Sequence, residues 1–229
     1  MPTKILINGY QGKMGQAAAQ AIRTATDLEL VGGSEREDDL AKIIKDTGAE
    51  VVLDLTTADA VYRNAEIIMN ANVHPVIGTS GLSAEQIKTL GQRCSEKKLG
   101  AIVVPNFSLG AVLMMHYAEH AARYFKAVEI IEAHHPAKKD APSGTARKTA
   151  QLIQAAQGDD KEVPIHSLRL PGIVAEQSVI FGAPGETLSI QHRSIDRDCF
   201  MPGILLACRK VIELDYLLYG LDKLVIDES

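Results

Sequence analysis

The chain has 229 residues, with 24 Lys plus Arg against 29 Asp plus Glu and a formal net charge of -5, a length that supports one large domain or two modest ones; two are expected. An acidic balance of this kind excludes general nucleic-acid binding. The three widely spaced cysteines, Cys94, Cys199 and Cys208, support neither a disulfide framework nor a structural zinc site and fit a reducing, cytoplasmic compartment, while the absence of any uncharged apolar run of about 18 residues and the short apolar stretch of MPTKILING speak against a membrane span and a secretory leader.

In chain order, residues 4–8 read as a short apolar strand, 14–24 as an alanine-rich helix and 27–33 as a second strand. No element is assigned between the charged run at 35–39 and residue 51. Strand 51–55, helix 58–70, strand 73–77, helix 83–98 and strand 101–104 follow, a βαβ rhythm that predicts a parallel sheet flanked by helices. Gly9, Thr56 with Thr57, Gly78 to Gly81 and Pro105 to Ser108 stand at strand ends, so these turns are expected to share one edge and line one cleft. After Ser108 the pattern changes. Residues 109–124 form a long helix feeding strand 128–133, and 146–157 a second helix. The runs 164–170, 173–181 and 187–192, separated by short glycine turns, predict an antiparallel meander. Residues 202–221 turn helical again and either close back on the first domain or cap the second.

Gly9, Gly12 and Gly15 follow the first strand in the run GYQGKMG and open a helix. That arrangement gives a tight turn, lets the backbone approach a pyrophosphate and directs helix N–H groups at it. The spacing is GxxGxxG, and a glycine turn between strand and helix also occurs without a nucleotide. Context supports the nucleotide, because Glu35 lies 20 positions past the last glycine, where a carboxylate binds a ribose diol. The adjacent Arg36 suits a 2'-phosphate, so both NADH and NADPH are compatible.

Residues 132–146, EAHHPAKKDAPSGTA, combine paired histidines, paired lysines and a Ser-Gly-Thr turn entering a helix. Histidine handles protons near neutral pH, lysine supplies positive charge, and the helix start supplies N–H groups for an anion. Together they predict a site for a small acidic molecule undergoing proton transfer. In extended backbone His134 and His135 face opposite ways, although a turn at Pro136 can bring both to bear. His166 and His192, taken singly, read as structural. His116 and His120 lie at i, i+4, but HYAEH lacks the HExxH order and a third ligand, so no metal is assigned. Ser143 reads as a helix cap, with a hydrolase nucleophile as a minor alternative.

These motifs, with SER after the second strand, GTSG at 78–81 and PNFSLG at 105–110, resemble in order and almost end to end the 4-hydroxy-tetrahydrodipicolinate reductase (dihydrodipicolinate reductase) family of lysine biosynthesis. The resemblance implies an α/β fold with a Rossmann-like dinucleotide-binding domain (1–108 and 201–229) and an α+β substrate-binding domain (109–200) whose open mixed sheet builds a homotetramer. It implies NADPH or NADH as cofactor and a small dicarboxylate as substrate. Gly9, Tyr10, Gln11, Gly12, Lys13 and Met14 would contact the pyrophosphate, and Glu35 and Arg36 the adenosine ribose. Gly78, Thr79, Ser80, Val104, Pro105, Asn106 and Phe107 would lie on the nicotinamide side. His134 matches the proposed acid/base residue and Lys138 the proton donor, with Lys139 beside it as the alternative. His135, Gly144 and Thr145 match the substrate-carboxylate contacts. Longer members carry an additional loop and helix between Arg36 and Val51, and Ser80 stands where a second threonine is frequent. Another nicotinamide-dependent oxidoreductase of amino-acid metabolism and a non-catalytic dinucleotide-binding protein are the competing classes.

Overall fold

A computed structural model describes residues 1–158 and 161–226. In chain order the elements are β1 (Thr3–Asn8), α1 (Lys13–Thr24), β2 (Leu28–Ser34), α2 (Leu40–Thr47), β3 (Val51–Asp54), α3 (Val61–Asn70), β4 (His74–Ile77), α4 (Ala84–Lys97), β5 (Ala101–Val103), α5 (Leu109–Ala121), β6 (Ala127–His134), α6 (Gly144–Gln157), β7 (Ile165–Arg169), β8 (Ala175–Ala183), β9 (Glu186–Ser194), α7 (Met201–Lys210), β10 (Leu217–Tyr219) and α8 (Asp222–Ile226). The chain divides into two compact units, Met1–Phe107 with Phe200–Ser229, and Ser108–Cys199. Residues 227–229, the end of the first expected domain, lie outside the described residues.

The first unit is built on a six-stranded sheet in the order β10-β5-β4-β3-β1-β2, every neighbouring pair parallel. Helices cover both faces of such a sheet, so its strands read as unbroken apolar runs; Ile5, Leu6, Ile7, Val51, Val52 and Leu53 are all fully buried. In α1 the buried positions are Gly15, Ala18, Ala19 and Ile22, one stripe at helical spacing. From β1 the chain goes outward to β2 and then returns past β1 to β3. The carboxyl ends of β1 and β3 therefore flank the crevice where the strand order reverses.

Two elements of this unit differ from expectation. Residues 40–47, which carry no element signal strong enough to assign from sequence, form α2, capped by the Asp39 side chain on Lys42 N–H and closed by Gly48 at φ 63°. Asp39 thus belongs to a helix start rather than to a solvated charge run. The expected helix over 202–221 ends at Lys210, and Leu217–Tyr219 instead pairs parallel with β5 as the sixth strand. Three residues of strand are too short to show a period in the sequence.

The second unit carries a four-stranded mixed sheet in the order β7-β6-β8-β9. The expected meander is corrected: only β8 and β9 form a hairpin, whereas β7 lies on the other side of β6 and parallel to it. The cause is α6, which intervenes between β6 and β7 and makes the pair a βαβ crossover. Ala118, Ala122, Ile130, Ala146, Ile153 and Phe181 form the core between the sheet and α5 and α6.

Candidate active site

In the first unit the turn from β1 to α1 is shaped by close backbone approach. Gly9 has φ +86°, and a Cβ there would sit 2.7 Å from the Leu55 carbonyl oxygen; a Cβ on Gly15 would meet the Gly9 carbonyl oxygen at 2.2 Å. A Cβ on Gly12 would meet only the Gly9 oxygen, at 3.3 Å, and α1 has no side-chain cap. Its first N–H groups are therefore offered at a face that glycine keeps clear, as a pyrophosphate requires. Glu35 reaches this turn, its Oε1 accepting from Gln11 N–H at 2.5 Å. Tyr10 stacks over Gly33, with its hydroxyl accepting from Arg23 at 2.8 Å. Lys13 and Met14 open α1. Arg36 is exposed and pairs with Asp59 at 3.4 Å.

A buried carboxylate organises the neighbouring strand ends. Asp54, 1% exposed at the end of β3, accepts from Asn8 Nδ2, Asn64 Nδ2 and the Thr56 and Thr79 hydroxyls at 2.6–2.9 Å. Asn8 in turn accepts from the Ser34 hydroxyl, so the ends of β1, β2 and β3 and the turn after β4 are stitched into one polar seam. Gly78 is required by packing, since a Cβ would strike the Phe107 ring at 2.4 Å. Ser80 is exposed and Phe107 buried. Val104 N–H bonds to the Ile77 carbonyl and Pro105 and Asn106 continue that turn. Every expected cofactor residue thus lies at the carboxyl edge of the parallel sheet.

In the second unit β6 ends in the proton-handling groups. Glu132 and His134 are two apart on a strand and share a face. His134 Nδ1 lies 2.6 Å from Glu132 Oε2, and Arg169 grips the same carboxylate with two nitrogens at 2.9 and 3.1 Å. Burial pushes the Glu132 carboxyl up, but hydrogen bonds from Arg169, Ser167 and His134 outweigh it and hold it below its ordinary value. Burial likewise lowers His134, opposed by Glu132 and reinforced by Lys138 and Arg169, so its value falls below 6.5. The imidazole is neutral at neutral pH.

Lys138 pairs with Asp140 at 2.9 Å and its side chain is 24% exposed, whereas Lys139 is exposed. His135 is also exposed, and its carbonyl accepts from Lys138 N–H. Ser143 is buried and its hydroxyl accepts from Ala146 N–H, which makes it the cap of α6. A Cβ on Gly144 would meet nothing within 4 Å. Gly144 therefore opens α6 with free space where a Cβ would stand, and Thr145 follows it in the first turn. His166 pairs with Glu129 and His192 with the Ser108 hydroxyl. Among the described residues no three His, Cys, Asp or Glu side chains gather as a metal site.

Glu132 and Arg169 received no role from the sequence. Glu132 carries a legible signal: Val128, Ile130 and Glu132 share the buried alternation of β6, and a carboxylate on an apolar face needs a reason. Arg169 carries none. It reaches His134 only through the parallel β6–β7 register.

Residues 3–107 match the family model described as "Dihydrodipicolinate reductase, N-terminus" and residues 110–225 the one described as "Dihydrodipicolinate reductase, C-terminus". The 4-hydroxy-tetrahydrodipicolinate reductase of Coxiella burnetii (strain RSA 493 / Nine Mile phase I) is 56% identical, covering 98% of this chain and all of the relative. That of Legionella pneumophila (strain Paris) is 50% identical over the same shares. A solved structure of dipicolinate-bound dihydrodipicolinate reductase from Paenisporosarcina sp. TG-14 superposes with a TM-score of 0.89 at 37% identity, covering 97% of this chain and 99% of that one. A scyllo-inositol dehydrogenase from Lactobacillus casei, 13% identical with a TM-score of 0.63 over 93% of this chain and 88% of its own, shares the fold alone.

Proposed function

The chain belongs to the dihydrodipicolinate reductase family, and we infer from that premise that it reduces 4-hydroxy-tetrahydrodipicolinate to tetrahydrodipicolinate, with loss of water, in the diaminopimelate route to lysine. It is an NAD(P)H-dependent oxidoreductase. The observation that carries the chemistry is the junction of β6 and α6, where His134, Lys138 and an open, N–H-rich helix start meet.

The nicotinamide, when bound, supplies hydride. Loss of the 4-hydroxyl as water leaves a ring double bond conjugated with the C=N. Hydride added at C4 sends the electron pair toward the neighbouring carbon, and a proton there completes the product. Lys138 delivers that proton, and its charge stabilises the negative charge that builds up first. Its inward placement and its Asp140 partner favour it over the exposed Lys139. His134, neutral and held at Nδ1, offers Nε2 as an acceptor. Gly144 and Thr145 receive one carboxylate on their N–H groups at the positive end of the α6 dipole, a dipole effect of about 0.3–1 kcal/mol, and His135 borders the same turn.

At the cofactor edge Gly9, Gln11, Gly12 and Lys13 cradle the pyrophosphate. Glu35 accepts a ribose diol and Arg36 meets a 2'-phosphate, a pair compatible with NADPH or NADH. The Asp54 seam supports Thr79 on the nicotinamide side. The open sheet of the second unit assembles a homotetramer, a reading supported by exposed apolar side chains at Leu168, Leu170 and Leu188. Free Cys94, Cys199 and Cys208 support a cytoplasmic location. No described helix is long and apolar enough to cross a membrane.

The test is to supply freshly made 4-hydroxy-tetrahydrodipicolinate with NADPH or NADH and follow reduced-cofactor absorbance. Substrate-dependent loss of absorbance is expected with each nucleotide. Binding of cofactor without turnover would refute the enzymatic reading.

A further inference from the structure

Glu132 occupies a position that the β6 alternation reserves for an apolar side chain, and it is 0% exposed. A carboxylate there is costly unless its acceptor sites are filled. They are filled. Oε2 accepts from His134 Nδ1 at 2.6 Å and from Arg169 at 3.1 Å, while Oε1 accepts from Arg169 at 2.9 Å and from Ser143 N–H at 3.2 Å. The charged groups facing His134 are Glu132 on its own strand, Lys138 from the following loop and Arg169 from β7; across on β8 the residue opposite Glu132 is the uncharged Gln177. An ionised carboxylate has no hydrogen to give, so the ring proton must sit on Nδ1 and the lone pair on Nε2. The same carboxylate also holds the backbone of Ser143, the residue that caps α6 immediately before Gly144 and Thr145.

We propose that Glu132 is a positioning residue for the reduction: it fixes His134 as the Nδ1–H tautomer and, through Ser143 N–H, ties that ring to the first turn of α6, so that the proton-handling group and the carboxylate cradle are set by one buried anion. Arg169 is the clamp that keeps this anion in place, and its second contact, to the Asp140 carbonyl at 2.7 Å, extends the brace to the loop that carries Lys138. The proposal rests on the reading that His134 and the α6 start serve the reduction.

The variants are E132Q, E132D, H134N and E132Q/H134N, each checked by thermal denaturation. Glutamine keeps the shape but places an amide against Nδ1; aspartate keeps the charge facing Arg169 but withdraws it from the ring. If E132Q does not fold, E132D with the double variant E132D/H134N carries the test. Ring-nitrogen NMR is expected to show His134 as a single Nδ1–H tautomer in the wild-type protein and to lose that state in both single Glu132 variants. Their kcat is expected to fall at least about tenfold, with a rise in substrate KM, and the double variant is expected to have a kcat within about twofold of H134N, as groups acting in series do. An unchanged His134 tautomer in the Glu132 variants, or losses that multiply in the double variant, would overturn the role of Glu132 alone. An H134N enzyme with wild-type kcat would instead overturn the site reading beneath it.

Discussion

Gly144→Ala separates a glycine kept for the fold from one kept for a ligand. Its backbone is outside the left-handed region and a Cβ would meet nothing within 4 Å, so neither strain nor packing requires glycine. Alanine at such a position stabilises a chain by about 0.4–1 kcal/mol through the unfolded state, which for a protein of this size raises Tm by about 1–4 °C. The methyl group, however, projects beside the first N–H groups of α6. If it displaces a bound carboxylate from one charge-assisted hydrogen bond, about 1.5–3 kcal/mol is lost, or about 10- to 100-fold in kcat/KM. Thermal denaturation and steady-state kinetics with varied 4-hydroxy-tetrahydrodipicolinate measure the two effects on the same preparation. A raised Tm with unchanged kcat/KM would remove Gly144 from the cradle. A lowered Tm would refute the reading of the space around it.

Gly15→Ala should lower Tm and disturb the cofactor turn together, because its Cβ would meet the Gly9 oxygen at 2.2 Å and the Tyr10 oxygen at 2.7 Å; the turn must retreat by about 1 Å, and a misplacement of that size costs about 100-fold in turnover where reacting groups are held. Titration with NADPH should show the weakened binding, and a wild-type Kd would refute it. Lys138→Ala should lower kcat by about 10²–10⁴-fold while Lys139→Ala stays within a few-fold of wild type; equal losses in the two would reject the assignment of the donor. Stability should rise with pH across the range in which His74, His134 and His192 lose their protons, since burial lowers all three below 6.5. The unfolded chain then binds more protons between the folded values and 6.5, so each contribution is complete above 6.5 and lost as pH falls through that window. Thermal midpoints between pH 5 and 8 that are flat, or that fall as pH rises, would contradict this.

The first unit is largely legible in the sequence because its strands are apolar runs punctuated by glycine and hydroxyl residues at one edge, and those punctuating residues, Gly9, Gly78 and Thr79 among them, are the ones at the crevice. What escapes are elements whose signal is short or shared. Asp39 and Gly48 mark both ends of α2, but the charge run before it draws attention to the nucleotide instead. Leu217 to Tyr219 is apolar beside a helix and declares its strand character only through β5. In the second unit the composition of residues 132–146 announces proton chemistry, yet the Glu132–Arg169 clamp depends on a pairing of strands 37 residues apart. Local pattern gives β7 as a strand and is silent on which neighbour it takes.

The late arrival of β10 bears on how the molecule is made. The first 107 residues leave the growing chain with β5 as a bare edge, and the strand that covers it comes only after the whole Ser108–Cys199 unit has been synthesised. Gly100 and Gly203 are built for that final closure: a Cβ on either would come within 2.0 Å of a backbone oxygen, Val211 for the first and Phe107 for the second. A nascent chain therefore carries an open template for wrong pairing until β10 has been made. Truncation near residue 199 should yield a sticky fragment rather than a smaller working domain, and the cell's folding machinery meets this protein as one long commitment instead of two independent ones.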